Sequence, residues 1–471
     1  MRNRLAVWAV CGLLAAGVLA ATQPAIETVP AAFSLRIATF DVDATPPPGS
    51  RMAYDPVKQR GDLSLRARGL VLLGAGDPIV LCAVDWIGIA NEGHDAFRQA
   101  LAQATGTSPQ RVAVHAVHQH DAPYCDFTAE RILKDAAADP GEFEGTFQRQ
   151  VIADLARAAA EALAQAQPCT HLGLGEARVD QVASNRRILG PDGKVRATRW
   201  TATHDPAIRA EPEGIIDPMV SIVSLWNQDQ PVAVLSYYAT HPQSYYRTGI
   251  PDPDVPGLAR FLRQLAVPEA LHIHFTGAGG NLGAGKYNDG ARTNRLVLAE
   301  RLSVGMRRAW ETTRRQSINA DQVSWTVEAV TLPLASHLSA AKLASDLKER
   351  VDPSKSGGLA ARLAWLRRGE AGQTVDLSCL ALGPARLLHL PGELFVEYQL
   401  AAKAMRPDLF VAMAAYGDYG PWYIGTTAAY DEGGYETGPE ASNVAPEVEA
   451  VLTAAIGRLL HGDANLGSIE H

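Results

Sequence analysis

Cysteine is scarce: five residues in a chain of 471, at positions 11, 82, 125, 169 and 379. Four thiols spread so widely beyond residue 21 cannot form a disulfide framework, although one bridge would be allowed in an oxidising compartment. A basic excess is also missing, since 43 Lys and Arg stand against 51 Asp and Glu for a formal charge of −8. With no basic run, nucleic acid is excluded as a natural partner. Beyond the first 21 residues no stretch is long and apolar enough to span a membrane. No internal repeat, low-complexity tract or Gly/Ser/Pro-rich linker divides the chain.

The start of the chain does carry a signal. Arg2 and Arg4 precede an apolar run over 5–19 and the small residues Ala20 and Ala21. This is the layout of a secretory signal peptide, too short for a spanning helix. Val10 is not the small residue a lipoprotein site at Cys11 would want. The expected organisation is a signal peptide over 1–21, a spacer over 22–34, one catalytic domain over 35–461 and a tail over 462–471, with a secreted or periplasmic destination.

Apolar runs and amphipathic stretches alternate along the domain. Strands are expected at 35–39, 69–73, 78–85, 111–117, 219–226, 232–238, 271–275, 377–382, 386–390 and 410–416. Helices are expected at 94–105, 143–167, 292–313, 394–402 and 445–460. The charged stretch 339–368 reads as a peripheral, mostly helical insertion with a solvated face, broken near Pro353. Interleaving throughout implies a single large α/β domain, with mixed β-sheets flanked by helices and the site at the C-terminal ends of strands.

Four segments carry chemistry, each near an expected strand end: Val117-His118-Gln119-His120-Asp121-Ala122-Pro123, Thr240-His241-Pro242-Gln243-Ser244, Leu390-Pro391-Gly392-Glu393, and the tyrosine-rich run 416–423. A strand ending in His-x-His would set two imidazoles on one side of the backbone, and neutral imidazole is the commonest metal ligand. Each residue also has a plainer role: a buried hydrogen-bonded histidine, a helix N-terminal acid for Glu393, and for the tyrosine run a core rim packed by Tyr416, Tyr419 and Trp422. Asp85 would either orient a ligand histidine or make a turn. His115, His272 and His274 read as hydrogen-bonded strand residues.

Together these segments resemble the zinc-bearing N-terminal catalytic domain of the neutral, non-lysosomal ceramidases. Val117 to Pro123 stands where that family has Thr-His-Thr-His-Ser-Gly-Pro, His241-Pro242-Gln243-Ser244 matches its His-Pro-Thr-Ser, and Pro391-Gly392-Glu393-Leu394 its Pro-Gly-Glu-Phe. Tyr423, Tyr430 and Tyr435 reproduce its tyrosine spacing, and Asp43-Ala44-Thr45-Pro46-Pro47 resembles its opening motif. The resemblance runs from about residue 35 to residue 460 and lacks the C-terminal immunoglobulin-like domain of full-length ceramidases. It implies Zn2+ as cofactor, held by His118, His241, Glu393 and Tyr423, with His120 catalytic beside it. Manganese or iron would suit the same donors. Arg186, in Asn185-Arg186, would contact substrate, or else pair on the surface.

The resemblance breaks in the loop Gly279-Gly280-Asn281-Leu282-Gly283-Ala284-Gly285-Lys286, where Gly283 replaces the family's catalytic serine. The loop is no phosphate cradle, having no Gly-Lys-Ser/Thr opening a helix. Asn281, Gly283 (through its backbone) and Lys286 are the expected substrate contacts. The implied activity is therefore hydrolysis of an N-acyl amide, ceramide-like lipids of sphingolipid metabolism included, by zinc-activated water. Two other readings are a same-scaffold hydrolase of a polar substrate such as a sugar derivative, and an inactive zinc-binding protein. A polar pocket around Lys286 and Asn288 would favour the sugar, an apolar cleft the lipid.

Overall fold

The computed structural model describes residues 34–349 and 355–461. The expected signal peptide, most of the spacer, Pro353 and the tail lie outside the described residues. Among the described residues, no helix is long and apolar enough to cross a membrane.

Among the described residues three large sheets build the molecule, with four two-stranded pairings beside them. The first is ordered Val112–Ala116, Gly76–Val84, Arg66–Gly74, Arg36–Asp43, Gln167–Pro168. The second is ordered Leu271–Thr276, Gln230–Tyr238, Met219–Asn227, His171–Arg178, Arg314–Ser317. The third is ordered Val323–Val330, Val375–Leu382, Ala385–His389, Phe410–Ala414. Pairing is antiparallel except at one edge of each, where Val112–Ala116, Leu271–Thr276 and Phe410–Ala414 each join in parallel. Such additions need crossover connections, which the helices supply.

The alternate side chains of all three sheets meet in one core. Ile37, Leu70 and Leu81 from the first pack with Val223, Leu235 and Phe275 from the second and Leu380, Leu387 and Ala412 from the third. Helices cover the outer faces: Asn91–Thr105 and Thr146–Leu163 lie against the first sheet, Asp254–Ala266 and Asn294–Glu311 against the second, Val396–Met405 and Val448–His461 against the third. In Thr146–Leu163 the buried Val151, Ile152, Leu155, Ala159 and Ala162 recur at helical spacing, so one stripe faces the sheet.

The three parallel edge strands converge at their C-terminal ends. Ala116 N donates to Tyr416 O at 2.9 Å, Ala415 N to Thr276 O at 2.9 Å, and Thr276 Oγ1 to Val117 O at 2.8 Å. These bonds tie together the segments that follow each strand.

Two expectations change. The first strand of the His-x-His segment ends at Ala116, and His118 has a φ of 76°, so the backbone turns before the first imidazole rather than presenting both by alternation. The stretch 339–368 is not a peripheral insertion either. Its second half, Ser356–Glu370, buries Ala360, Leu363, Ala364 and Trp365, and Trp365 Nε1 donates to Asn443 O at 3.1 Å. Arg362 and Arg368 of that helix are largely covered as well, paired with Glu440 and Asp95, so charge in the sequence did not mean a solvated face.

Candidate metal centre

Each of the four chemistry-bearing segments leaves the C-terminal end of a strand. His118 continues the path of Val112–Ala116, with its N–H on Trp86 O at 2.8 Å. Its Nδ1 lies 2.5 Å from Ile87 O, and donation there leaves Nε2 without a proton. Gln119 turns the other way, donating to Asp85 Oδ1 and to Pro253 O, each at 3.2 Å. His120 then returns toward His118, the ring centroids being 4.9 Å apart. His241 follows Gln230–Tyr238, and its Nε2 sits 3.3 Å from His120 Nε2.

Glu393 and Tyr423 lie in the segments that follow Ala385–His389 and Phe410–Ala414 of the third sheet, in a separate two-stranded pairing. They face each other in register across the short parallel pair Glu393–Leu394 and Tyr423–Ile424. The Tyr419 hydroxyl donates to Glu393 Oε1, which leaves Oε2 facing the imidazoles, 3.4 Å from His118 Nε2 and 3.6 Å from His241 Nδ1. Glu393 is not a helix cap: the first N–H of Val396–Met405 is bonded by Asn281 Oδ1 at 2.9 Å. The Tyr423 ring lies parallel to His241, with centroids 6.4 Å apart. The Tyr416 ring stacks on His118 at 4.5 Å.

Three lone pairs therefore meet with no hydrogen-bond partner: His118 Nε2, His241 Nδ1 and Glu393 Oε2, all buried. Buried acceptors are rarely left unpaired. A tetrahedral zinc with bonds of 2.0–2.1 Å puts its ligand atoms about 3.4 Å apart, so the two contacts to Oε2 match edges of such a tetrahedron. His118, His120 and His241 form a buried triad able to hold a metal ion, their ligand atoms all within 4.8 Å of one another. Of the three, His120 is turned toward His241 and has an unengaged Nδ1.

The electrostatics keep His120 and His241 neutral. Burial first, then the neighbouring His118 and Arg186, holds His120 well below the usual histidine range. Burial and then Arg186 do the same to His241. Arg186 is itself buried, with Nη2 on Gly280 O at 2.7 Å and Nε 3.2 Å from Glu436 Oε1. Burial opposes its charge, but Tyr423 and Glu436 beside it make it hold its proton more firmly than usual. Burial also pushes the Tyr423 phenol well above its ordinary range, with Arg186 pulling the other way.

His118, His120, Glu393 and Tyr423 line one cleft of about 250 Å³, together with Tyr54, Tyr124, Phe143, Tyr419, Trp422 and Tyr435. Gly283 sits close by, in a two-residue pairing with Ser184 and Asn185, and a Cβ built on it would be 3.3 Å from Arg186 Cδ. Asn281 and Lys286 are engaged elsewhere. Asn281 Nδ2 donates to Glu397 Oε2 at 2.9 Å, and Lys286 Nζ donates to the carbonyls of Arg209 and Glu211 at 3.1 and 2.5 Å. Asn288 is also internal, bonded to Thr201 O and Ser244 O. Asp85 orients no histidine; it pairs with Arg260 through both oxygens. The sequence reading missed the Tyr419 contact and the Ile87 carbonyl. Tyr419 lay within the flagged tyrosine run, but nothing local distinguishes a carboxylate partner from a core ring.

No protein-family model matches the chain, and no curated protein sequence does. Among solved structures, the chain is similar to a ceramidase complexed with C2 and to neutral ceramidase from Pseudomonas aeruginosa. Each has a TM-score of 0.65 at 15% identity, over 91% of this chain and 75% and 74% of the other. The fold is the ceramidase fold. At that identity the likeness speaks for architecture, and the chemistry has to be argued from the residues.

Proposed function

We propose that the protein is a zinc-dependent hydrolase of N-acyl amides. The observation that carries the reading is the meeting of His118 Nε2, His241 Nδ1 and Glu393 Oε2 without partners. In it, these three and Tyr423 hold the ion. Two neutral imidazoles, a carboxylate and a phenol-type oxygen suit zinc, and Arg186 beside Tyr423 offsets part of the burial that holds its phenol protonated. Zinc bound there supplies Lewis-acid chemistry, polarising an oxygen and bringing water near to ionisation at neutral pH.

The chain's own groups do the rest. His120, neutral and with Nδ1 unengaged, accepts a proton from the attacking water and returns it to the departing amine. Ile87 O fixes the His118 tautomer, and Tyr419 fixes the rotation of the Glu393 carboxylate. Seven aromatic rings line the cleft beside the carboxylates of Glu142, Glu393 and Glu440, and Lys286 and Asn288 are bonded internally. Both facts favour an acyl amide, such as a ceramide-like lipid, over a sugar derivative.

The test combines metal content with product release. The purified full chain should carry one zinc and release fatty acid from an N-acyl amide panel that includes ceramide. His118→Ala and Glu393→Gln should each lose zinc affinity by more than the roughly 10–100-fold that follows loss of a supporting partner. Unchanged zinc binding in both variants would refute the ligand set. Full zinc loading with no release from any amide would refute the substrate class and leave the metal site standing.

A further inference from the structure

The mouth of the cleft carries exposed aromatic rings. Tyr54 and Tyr246 are 40% and 39% exposed, with ring centroids 4.8 Å apart. Tyr54 lies parallel to the His120 ring at 5.9 Å, and Tyr246 meets His120 at 5.5 Å. Over both rings stands the Arg247 guanidinium, its Cζ 5.2 Å from the Tyr54 centroid and 5.8 Å from that of Tyr246.

This arginine is held in place and left uncompensated. Its backbone is in the left-handed region, with a φ of 63°. Asp121, next in the chain to His120, fixes that turn. Its Oδ1 accepts the N–H groups of Arg247 and Thr248 at 2.9 and 3.3 Å, and its Oδ2 accepts the Thr248 hydroxyl at 2.8 Å. Asp121 thereby holds the loop rather than the guanidinium. Among the described residues Arg247 makes no ion pair, whereas Arg186, Arg295 and Arg362 are each matched to a carboxylate. A guanidinium stacked on rings keeps its in-plane donors free for a bidentate anion.

We infer that Arg247 is a specificity residue that reads an anionic group on the substrate, across the Tyr54 and Tyr246 rings from His120. The favoured substrate class is then an N-acyl amide bearing a carboxylate a few bonds from the amide, such as an N-acyl amino acid, rather than a neutral N-acyl sphingoid base. The inference rests on the amide-hydrolase reading for the reaction, but its test by binding does not.

The probes are N-lauroylglycine and its neutral amide, N-lauroylglycinamide, titrated calorimetrically into the zinc-loaded full chain. The acid should bind about tenfold more tightly, the scale of one charge-assisted contact at a solvated rim. Arg247→Met keeps the aliphatic stem over the rings and removes the charge. It should bring the two probes to within about twofold by weakening only the acid. Equal binding to the parent protein, a preference that survives Arg247→Met, or no binding of either probe would overturn the inference. A preference lost in Arg247→Met, with neither probe hydrolysed, would leave Arg247 as the anion reader and refute the amide reading instead.

Discussion

Replacing Asp85 by alanine tests how the scaffold supports the His-x-His segment. Asp85 is fully buried and accepts Arg260 Nη1 at 2.8 Å, Arg260 Nη2 at 2.5 Å, the Arg66 N–H at 2.8 Å and Gln119 Nε2 at 3.2 Å. Arg260 is buried too, at 4% exposure, so the alanine variant strands a guanidinium in the core. Breaking a buried pair from one side costs about 3–5 kcal/mol. At about 2.1 cal/mol/K per residue, a chain of this length loses roughly 1 °C per kcal/mol, so Tm should fall by about 3–5 °C in scanning calorimetry. Burial alone would raise the Asp85 pKa, but Arg260 outweighs it and the carboxyl is held below its usual range. A depressed folded pKa stabilises above the unfolded value and loses that contribution as pH falls through the folded one. The penalty should therefore be level from pH 8 to 5 and shrink only in stronger acid. Asp85→Leu with Arg260→Met removes both charges and should recover most of the loss, short of the orphaned Arg66 N–H. A fall of less than 1 °C in Asp85→Ala, or a double variant as unstable as the single one, would refute the reasoning.

Asp126 titrates in the opposite sense. Burial pushes it up to about 7, although Ala129 N–H, Asn91 and Thr128 N–H favour its charge. A raised folded pKa means that stability falls as pH climbs from about 4 to 7. Asp126→Asn should thus gain on the parent between pH 5 and 8 in paired melting curves; a pH-independent difference would count against it. At Gly283 a Cβ meets Arg186 Cδ at 3.3 Å and Thr201 Oγ1 at 3.5 Å, so serine fits after a slight shift of the arginine stem. Gly283→Ser should fold and keep its hydrolysis rate within about twofold, because the proposed proton transfers run through His120; a tenfold rise would mean that the absent hydroxyl limits the parent. Cys82, Cys125, Cys169 and Cys379 are free and buried, and burial raises the thiols of Cys169 and Cys379 to about 12. None of these four should react with an aromatic disulfide until the protein unfolds, and fast labelling of any one in the native state would contradict its placement.

What could be read along the chain was what a local pattern encodes. The runs at 78–85 and 219–238 alternate or stay apolar over strand lengths, and the strands found there are Gly76–Val84, Met219–Asn227 and Gln230–Tyr238. Helix Asp254–Ala266 escaped notice because Pro251, Pro253 and Pro256 crowd its first turn, where proline is tolerated and merely resembles a loop. Asn281 and Lys286 misled for a related reason. A polar glycine-rich loop looks solvent-facing, yet here its side chains bond the start of one helix and the end of another. The centre itself depended on something no local pattern holds. The first sheet leads into His118 and His120, the second into His241, and the third into the short paired strands that carry Glu393 and Tyr423. Their meeting follows from the bonds that join the three edge strands at Ala116, Thr276 and Ala415. Three sheets that share one core and each contribute a donor make the cluster a product of tertiary packing. An ion bound there would couple all three, so its removal should loosen the junction of the sheets before it loosens any one of them.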